Sequence, residues 1–149
     1  MSATTLEQLK DDFALLDDWE ERFKYVIELG RSLSPLDPAC HTSAFKVQGC
    51  ASLVWIATGI EQHGLDPVLT FKGDSDAILV KGLIAIAFIV YSGRTARDIL
   101  ATNAMSVFTE LGLKDHLTPQ RSNGLAAMIT RIRRDAERAL QDIEASKIA

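Results

Sequence analysis

The chain has 149 residues, 47% of them hydrophobic and 24% charged, with a net charge of −4. That size and composition describe a single globular domain, residues 1–149, able to bury a core without disulfide staples, and they exclude a largely disordered chain. An acidic chain with no broad basic surface also excludes the ordinary electrostatic mode of nucleic-acid binding.

Met1 to Asp12 carries Glu7, Asp11 and Asp12 and has no apolar run, so no secretory signal is expected. A first helix starts at about Thr5, with Leu6, Leu9, Phe13 and Leu16 at helical spacing. A second opens on Asp18-Trp19-Glu20-Glu21, a variant capping box, and carries Phe23, Val26, Ile27 and Leu33 near one face, with Gly30 a stop or weak point. Ser34 to Thr42, with Pro35 and Pro38, is a loop.

From Ala44 the period changes. Phe45 and Val47 form a short strand that breaks at Gln48-Gly49, Ser52 to Thr58 a second, and Val68 to Lys72 a third, with a turn between Gly59 and Gly64. Connections this short favour an antiparallel meander. Gly73-Asp74-Ser75 starts a helix capped by Asp74 or Ser75, and Ala77 to Tyr91 is apolar on nearly every side. Its most apolar part, Gly82 to Tyr91, is too short to span a bilayer, so this is the central buried helix. Short helices follow from Thr95 and from Asn103 to Leu111. The last helix has Thr118 as cap, Pro119 at its first position and an apolar stripe of Leu125, Met128, Ile129, Ile132, Ala136 and Leu140. Arg131, Arg133 and Arg134 alternate with Asp135 and Glu137, the pattern of a salt-bridged solvent face. The order predicts an α+β fold, a small three-stranded antiparallel sheet with helices packed on one face.

The two cysteines, Cys40 and Cys50, form no C-x-x-C pair, and with scattered His41, His63 and His116 they make a poor zinc ligand set. A reducing compartment, the cytoplasm by default, keeps both thiols free. Cys50 follows Gln48-Gly49 and precedes a strand, which places it on a turn supported by a rigid sheet, a common mount for reactive groups. A glycine before it permits positive φ and close backbone approach. An accessible thiol that is partly thiolate can attack the outer sulfur of another protein's persulfide. From placement alone, a small buried hydrophobe is the commoner role for a free cysteine.

Val47-Gln48-Gly49-Cys50-Ala51-Ser52-Leu53-Val54-Trp55 resembles the active-cysteine motif of the SufE family, the sulfur-accepting partners of cysteine desulfurases. Asp18-Trp19-Glu20-Glu21-Arg22-Phe23 with Ile27-Glu28-Leu29-Gly30 is similar to that family's N-terminal signature. Gly73-Asp74-Ser75-Asp76-Ala77 with Val80-Lys81-Gly82-Leu83 resembles its central helix start, and His116 to Leu125 its C-terminal segment. The chain departs from the pattern at Phe45, Ala51 and Leu53, where the family often has Asn, Gln and a polar residue.

The resemblance implies the fold shared with cluster-scaffold proteins, and Cys50 as acceptor of sulfane sulfur from a desulfurase, a pyridoxal-phosphate enzyme. Sulfur would then pass to a downstream iron–sulfur scaffold, with desulfurase turnover stimulated by removal of bound product. The chain itself would need no cofactor or metal, and would act as a persulfide carrier rather than a stand-alone enzyme, as a monomer or homodimer. Leu53, Trp55 and the central helix are the expected walls of a pocket sheltering the persulfide. Gln48, Gly49, Ser52, Asp74, Asp76 and Arg121 are the expected loop-supporting or partner-facing residues. Arg121 favours a thiolate or binds the partner, or else makes a surface ion pair. Asp74 and Asp76 face the partner or cap the central helix. Three other readings stay open: an acceptor feeding other sulfur pathways, a thiol redox protein with Cys40 as resolving residue, and a non-catalytic regulator. A cluster scaffold would call for three cysteines.

Overall fold

The computed structural model describes residues 4–63 and 66–148, and each helix expected from the sequence is present in it. Helix α1 (Leu6–Leu15) begins on Thr5, whose hydroxyl accepts the Gln8 N–H at 3.1 Å. Helix α2 (Trp19–Arg31) begins on Asp18, whose carboxylate accepts the Glu21 N–H at 2.8 Å. The Glu21 side chain turns to Lys24 at 3.6 Å. Gly30 lies inside α2 and does not end it. A Cβ there would stand 2.6 Å from the backbone nitrogen of Gly82 in α3 (Ile78–Tyr91), so this glycine sets how closely the two helices cross.

Helix α3 is the centre of the molecule. From Leu83 to Phe88 every residue is buried, as the all-round apolar pattern requires. Its N-cap is Ala77, which offers no side-chain hydrogen bond. The capping role expected of Asp74 or Ser75 therefore does not hold for the helix proper. The Ser75 hydroxyl instead accepts the Ala77 N–H at 3.2 Å, ahead of the first helical residue.

The sheet has three antiparallel strands in the order β1-β2-β3, with boundaries that differ from expectation. Strands β1 (Val54–His63) and β2 (Asp66–Ser75) form one long hairpin, paired from Val54 with Ser75 to His63 with Asp66. Gly59 sits within β1, where a Cβ would come 2.7 Å from the Thr70 hydroxyl across the hairpin, so it permits close pairing and makes no turn. The Gly64 end of the expected turn lies outside the described residues. The Phe45 to Val47 segment joins by a single bridge of Lys46 to Trp55. The third strand is β3 (Arg94–Thr95), beside Val68 and Leu69 of β2. Strand β2 buries alternate side chains, among them Leu69, Phe71 and Ser75, so one face meets the helices.

After β3 come α4 (Ala96–Ala101) and α5 (Ala104–Glu110), capped by Thr95 and Asn103. The long α6 (Pro119–Ile148) starts at Thr118, whose hydroxyl accepts the Arg121 N–H at 3.2 Å. It is tied to the sheet through Arg131, which donates to the Ile56 carbonyl at 3.2 Å, and through Asp135, which accepts from the Thr58 hydroxyl at 2.7 Å. Arg133 fans onto the carbonyls of Ile99, Leu100 and Thr102 at the end of α4. The basic run is a salt-bridged face only in part: Arg131 pairs with Asp135 at 3.3 Å, Arg133 caps a helix, and among the described residues Arg134 does neither.

Candidate functional site

Cys50 stands in a short excursion between the Lys46–Trp55 bridge and β1. The Val47 N–H donates to the Val54 carbonyl at 2.8 Å and closes the base of this loop. Gly49 has φ of +92°, a conformation that L side chains rarely adopt, and a Cβ there would also press on the Ala127 methyl at 3.2 Å. The glycine of the motif thus has both properties expected of it. It turns the chain and lets it lie against α6.

The turn delivers the Cys50 side chain, half-buried, to a cavity of about 220 Å³ between the loop, α3 and α6. Val54, Val80, Leu83, Leu125 and Met128 give it apolar walls, and Ser52 and Arg121 lie at its lining too. The Cys50 thiol donates to the Gly124 carbonyl at 3.5 Å. A Cβ on Gly124 would sit 3.6 Å from the sulfur, so the absence of a side chain there leaves room over the thiol. Burial pushes the thiol pKa up, and the Lys46 ammonium partly opposes this. Burial therefore favours the protonated thiol, in a recess with apolar walls whose lining also includes Ser52, Thr118, Gln120 and Arg121.

Asp76 pins the far side of the loop. Its carboxylate accepts the Leu53 N–H at 3.0 Å, and its own N–H donates to the Leu53 carbonyl at 3.3 Å. It is a loop clamp and not a helix cap. Asp74 is turned elsewhere, bonded to His41 at 2.8 Å and Lys81 at 3.4 Å. Burial alone would raise the Asp74 pKa, but His41, the Ser75 N–H and Lys81 outweigh it and hold the carboxyl below its ordinary value. His41 also meets the Trp55 ring edge-on, with centroids 4.7 Å apart, and so fastens the proline-containing loop to the sheet. No sequence pattern marked His41.

Of the residues expected from the sequence, Cys50, Ser52 and Arg121 converge on one cavity. Gln48 is exposed on the other flank of the loop, where it lines a separate groove. Leu53 and Trp55 do not line the Cys50 cavity. Strand alternation turns Val54 inward, while Leu53 is 40% exposed and Trp55 packs against His41. Among the described residues no carboxylate pairs with Arg121, so the surface ion pair is not formed. Sequence reasoning missed Gly124, although a glycine inside a predicted helix is the signal of a close approach.

The family model described as an Fe–S metabolism associated domain, SufE, matches residues 7–136. The chain belongs to the SufE family. An uncharacterized SufE-like protein of Rhizobium meliloti is 49% identical over 134 residues, covering 90% of this chain and 96% of that protein. Another from Rhizobium etli is 47% identical over 133 residues, covering 89% and 90%. The solution structure of a hypothetical protein from Thermus thermophilus superposes with a TM-score of 0.73 at 20% identity, over 95% of this chain and 99% of that one. That likeness carries the α+β fold alone. SufE membership carries the association with iron–sulfur metabolism, and the Cys50 motif lies within the matched span. Among the described residues no helix is long and apolar enough to cross a membrane, and no three His, Cys, Asp or Glu side chains converge as metal ligands.

Proposed function

We propose that Cys50 accepts sulfane sulfur from the persulfide of a cysteine desulfurase and delivers it for iron–sulfur cluster assembly. The observation that carries this reading is the thiol held on the Gly49 turn at a cavity of about 220 Å³ walled by Val54, Val80, Leu83, Leu125 and Met128. That recess has room for one more sulfur atom and partly shelters it from bulk water and small thiols.

The step balances without an oxidant. Cys50 gives up its proton, and the thiolate attacks the outer sulfur of the donor persulfide. A new S–S bond forms on Cys50 as the donor's S–S bond breaks, and the donor cysteine leaves as a thiolate that takes up a proton. Because burial raises the Cys50 pKa, docking must first expose the sulfur or bring a cation to it. Lys46, whose charge already favours the thiolate, and Arg121, at the cavity lining, are the cations for that role. Gly49 and Asp76 are positioning residues that hold the loop.

The test is intact mass after incubation with a cysteine desulfurase and cysteine. The wild type and Cys40→Ser are expected to gain about one sulfur atom, reversible with dithiothreitol, and Cys50→Ser to gain none. A Cys50→Ser protein that still gains the mass, with Cys40→Ser losing it, would overturn the assignment. A Cys50→Ser protein that still stimulates desulfurase turnover would make the chain a regulator and not a relay.

A further inference from the structure

A second groove, of about 510 Å³, flanks the Cys50 loop on the side away from the thiol cavity. Its lining includes four cations, Lys46, Arg131, Arg134 and Arg138, against one carboxylate, Asp135. That carboxylate is already engaged by Arg131 and the Thr58 hydroxyl. Among the described residues no carboxylate lies within ion-pair reach of Lys46 or Arg134. In a chain of net charge −4 this is a concentrated positive feature.

Ala127, Arg131, Arg134 and Arg138 follow one another at spacings of four, three and four, so they share one face of α6. At 1.5 Å of rise per residue the row is roughly 16 Å long, about the span of five extended residues. Arg134 and Arg138 are like charges one turn apart, an arrangement that weakens a helix unless an anion lies over both. The row starts where the loop touches the helix, since Gly49 abuts Ala127. Val47 and Gln48 line this groove while Cys50 opens into the other cavity.

We propose that this groove docks an acidic segment of the protein that exchanges sulfur with Cys50, its Asp or Glu side chains pairing with Lys46, Arg134 and Arg138. The assignment rests on the sulfur-acceptor reading for the partner's identity. Its chemistry rests on the charge row. A charge row of this length suits several successive carboxylates better than one small ion. A nucleic-acid backbone is disfavoured by the acidic remainder of the chain. A partner held here sits beside the loop without covering the thiol cavity, so docking and transfer use different surfaces.

The probe is a fluorescein-labelled oligo-glutamate peptide, followed by anisotropy against oligo-glutamine and oligo-lysine controls. Wild type is expected to bind only the glutamate peptide, saturably, with affinity that falls as salt rises. Arg134→Gln/Arg138→Gln should weaken it about tenfold and Arg134→Glu/Arg138→Glu more, with thermal midpoints unchanged or slightly raised. In sulfur uptake the same variants should raise the desulfurase concentration for half-maximal rate and leave the saturating rate alone. Equal binding of all peptides, or a glutamate peptide indifferent to both double variants, would overturn the proposal. So would a phosphate or duplex-DNA competitor that displaces the peptide at lower concentration than free glutamate peptide does. Failure of the sulfur-acceptor reading shows separately, as no mass gain on Cys50 in wild type while peptide binding persists.

Discussion

Replacing Gly124 with alanine should raise stability and impair sulfur uptake together. Gly124 lies within α6, one turn and a half from its start. Alanine at a helix interior is favoured over glycine by about 0.8–1.0 kcal/mol. The new methyl would stand 3.6 Å from the Cys50 sulfur and 3.8 Å from its Cα and Cβ, all ordinary contact distances, so the reduced protein absorbs it without strain. For a domain of this length that gain raises the thermal midpoint by roughly 2–4 °C. A persulfide places a second sulfur about 2 Å beyond the first, and the methyl removes the staggered position that points over Gly124. Uptake at limiting desulfurase should slow by about 1.5-fold or more, one of three staggered positions being lost. Calorimetry gives the midpoint, and timed intact mass gives the uptake. Gly124→Val carries the same reasoning further: its γ-methyls overfill the gap, at a cost of about 1–3 kcal/mol, and displace the loop. An alanine variant with a raised midpoint and wild-type uptake would mean the incoming sulfur does not lie on this side of Cys50. A lowered midpoint would mean the contact has no slack.

Three further outcomes follow from the same geometry. Gly49→Val should impair uptake and cost about 1–2 kcal/mol, since φ of +92° strains any L side chain and the Ala127 methyl blocks the added atoms; a fully active, equally stable variant would leave this glycine without a backbone role. Arg121→Ala should leave the thermal midpoint unchanged or slightly raised while slowing uptake by Cys50, because a cation in a helix first turn opposes the dipole by about 0.3–1 kcal/mol; unchanged kinetics would make it an ordinary surface residue. In a Cys40→Ser background, iodoacetamide alkylation of Cys50 should still be accelerating above about pH 8.5, where an ordinary thiol is about half ionised, because burial holds the proton on. Lys46→Ala should move that profile further alkaline, and a plateau below about pH 8.5 would contradict the buried thiol.

The helices were legible because each carried its own local signals. Asp18 and Thr118 cap the helices they were expected to cap, the first helix starts after Thr5, and the apolar run through Leu83 to Phe88 is buried all round. The strands were less so. Phe45 to Val47 alternates like a strand but makes one bridge, because the chain turns away at Gly49 before a ladder can form. Arg94 and Thr95 pair with β2 although two residues following a helix carry no period to read. Gly59 read as punctuation because the Thr70 hydroxyl it accommodates comes from the opposite strand. The same holds at the site. Cys50 and Gly49 were visible from adjacent residues, whereas Asp76 as loop clamp, His41 on Asp74 and Gly124 under the thiol each depend on a partner brought close by folding.

Cys50 bonds to a residue 74 positions further along the chain. Protein synthesis proceeds at about 5–20 residues per second, so roughly 4–15 s separate the emergence of the thiol from that of the helix that covers it. During that interval the loop has neither the Gly124 carbonyl nor the walls supplied by Leu125 and Met128. The nascent chain therefore presents Cys50 as an ordinary exposed thiol, open to oxidants and mixed disulfides, and gains its discrimination only when α6 docks. The proposed sulfur chemistry at this position is in that sense a property of the finished topology, and a chain stalled before α6 would carry the thiol without the walls that shelter it.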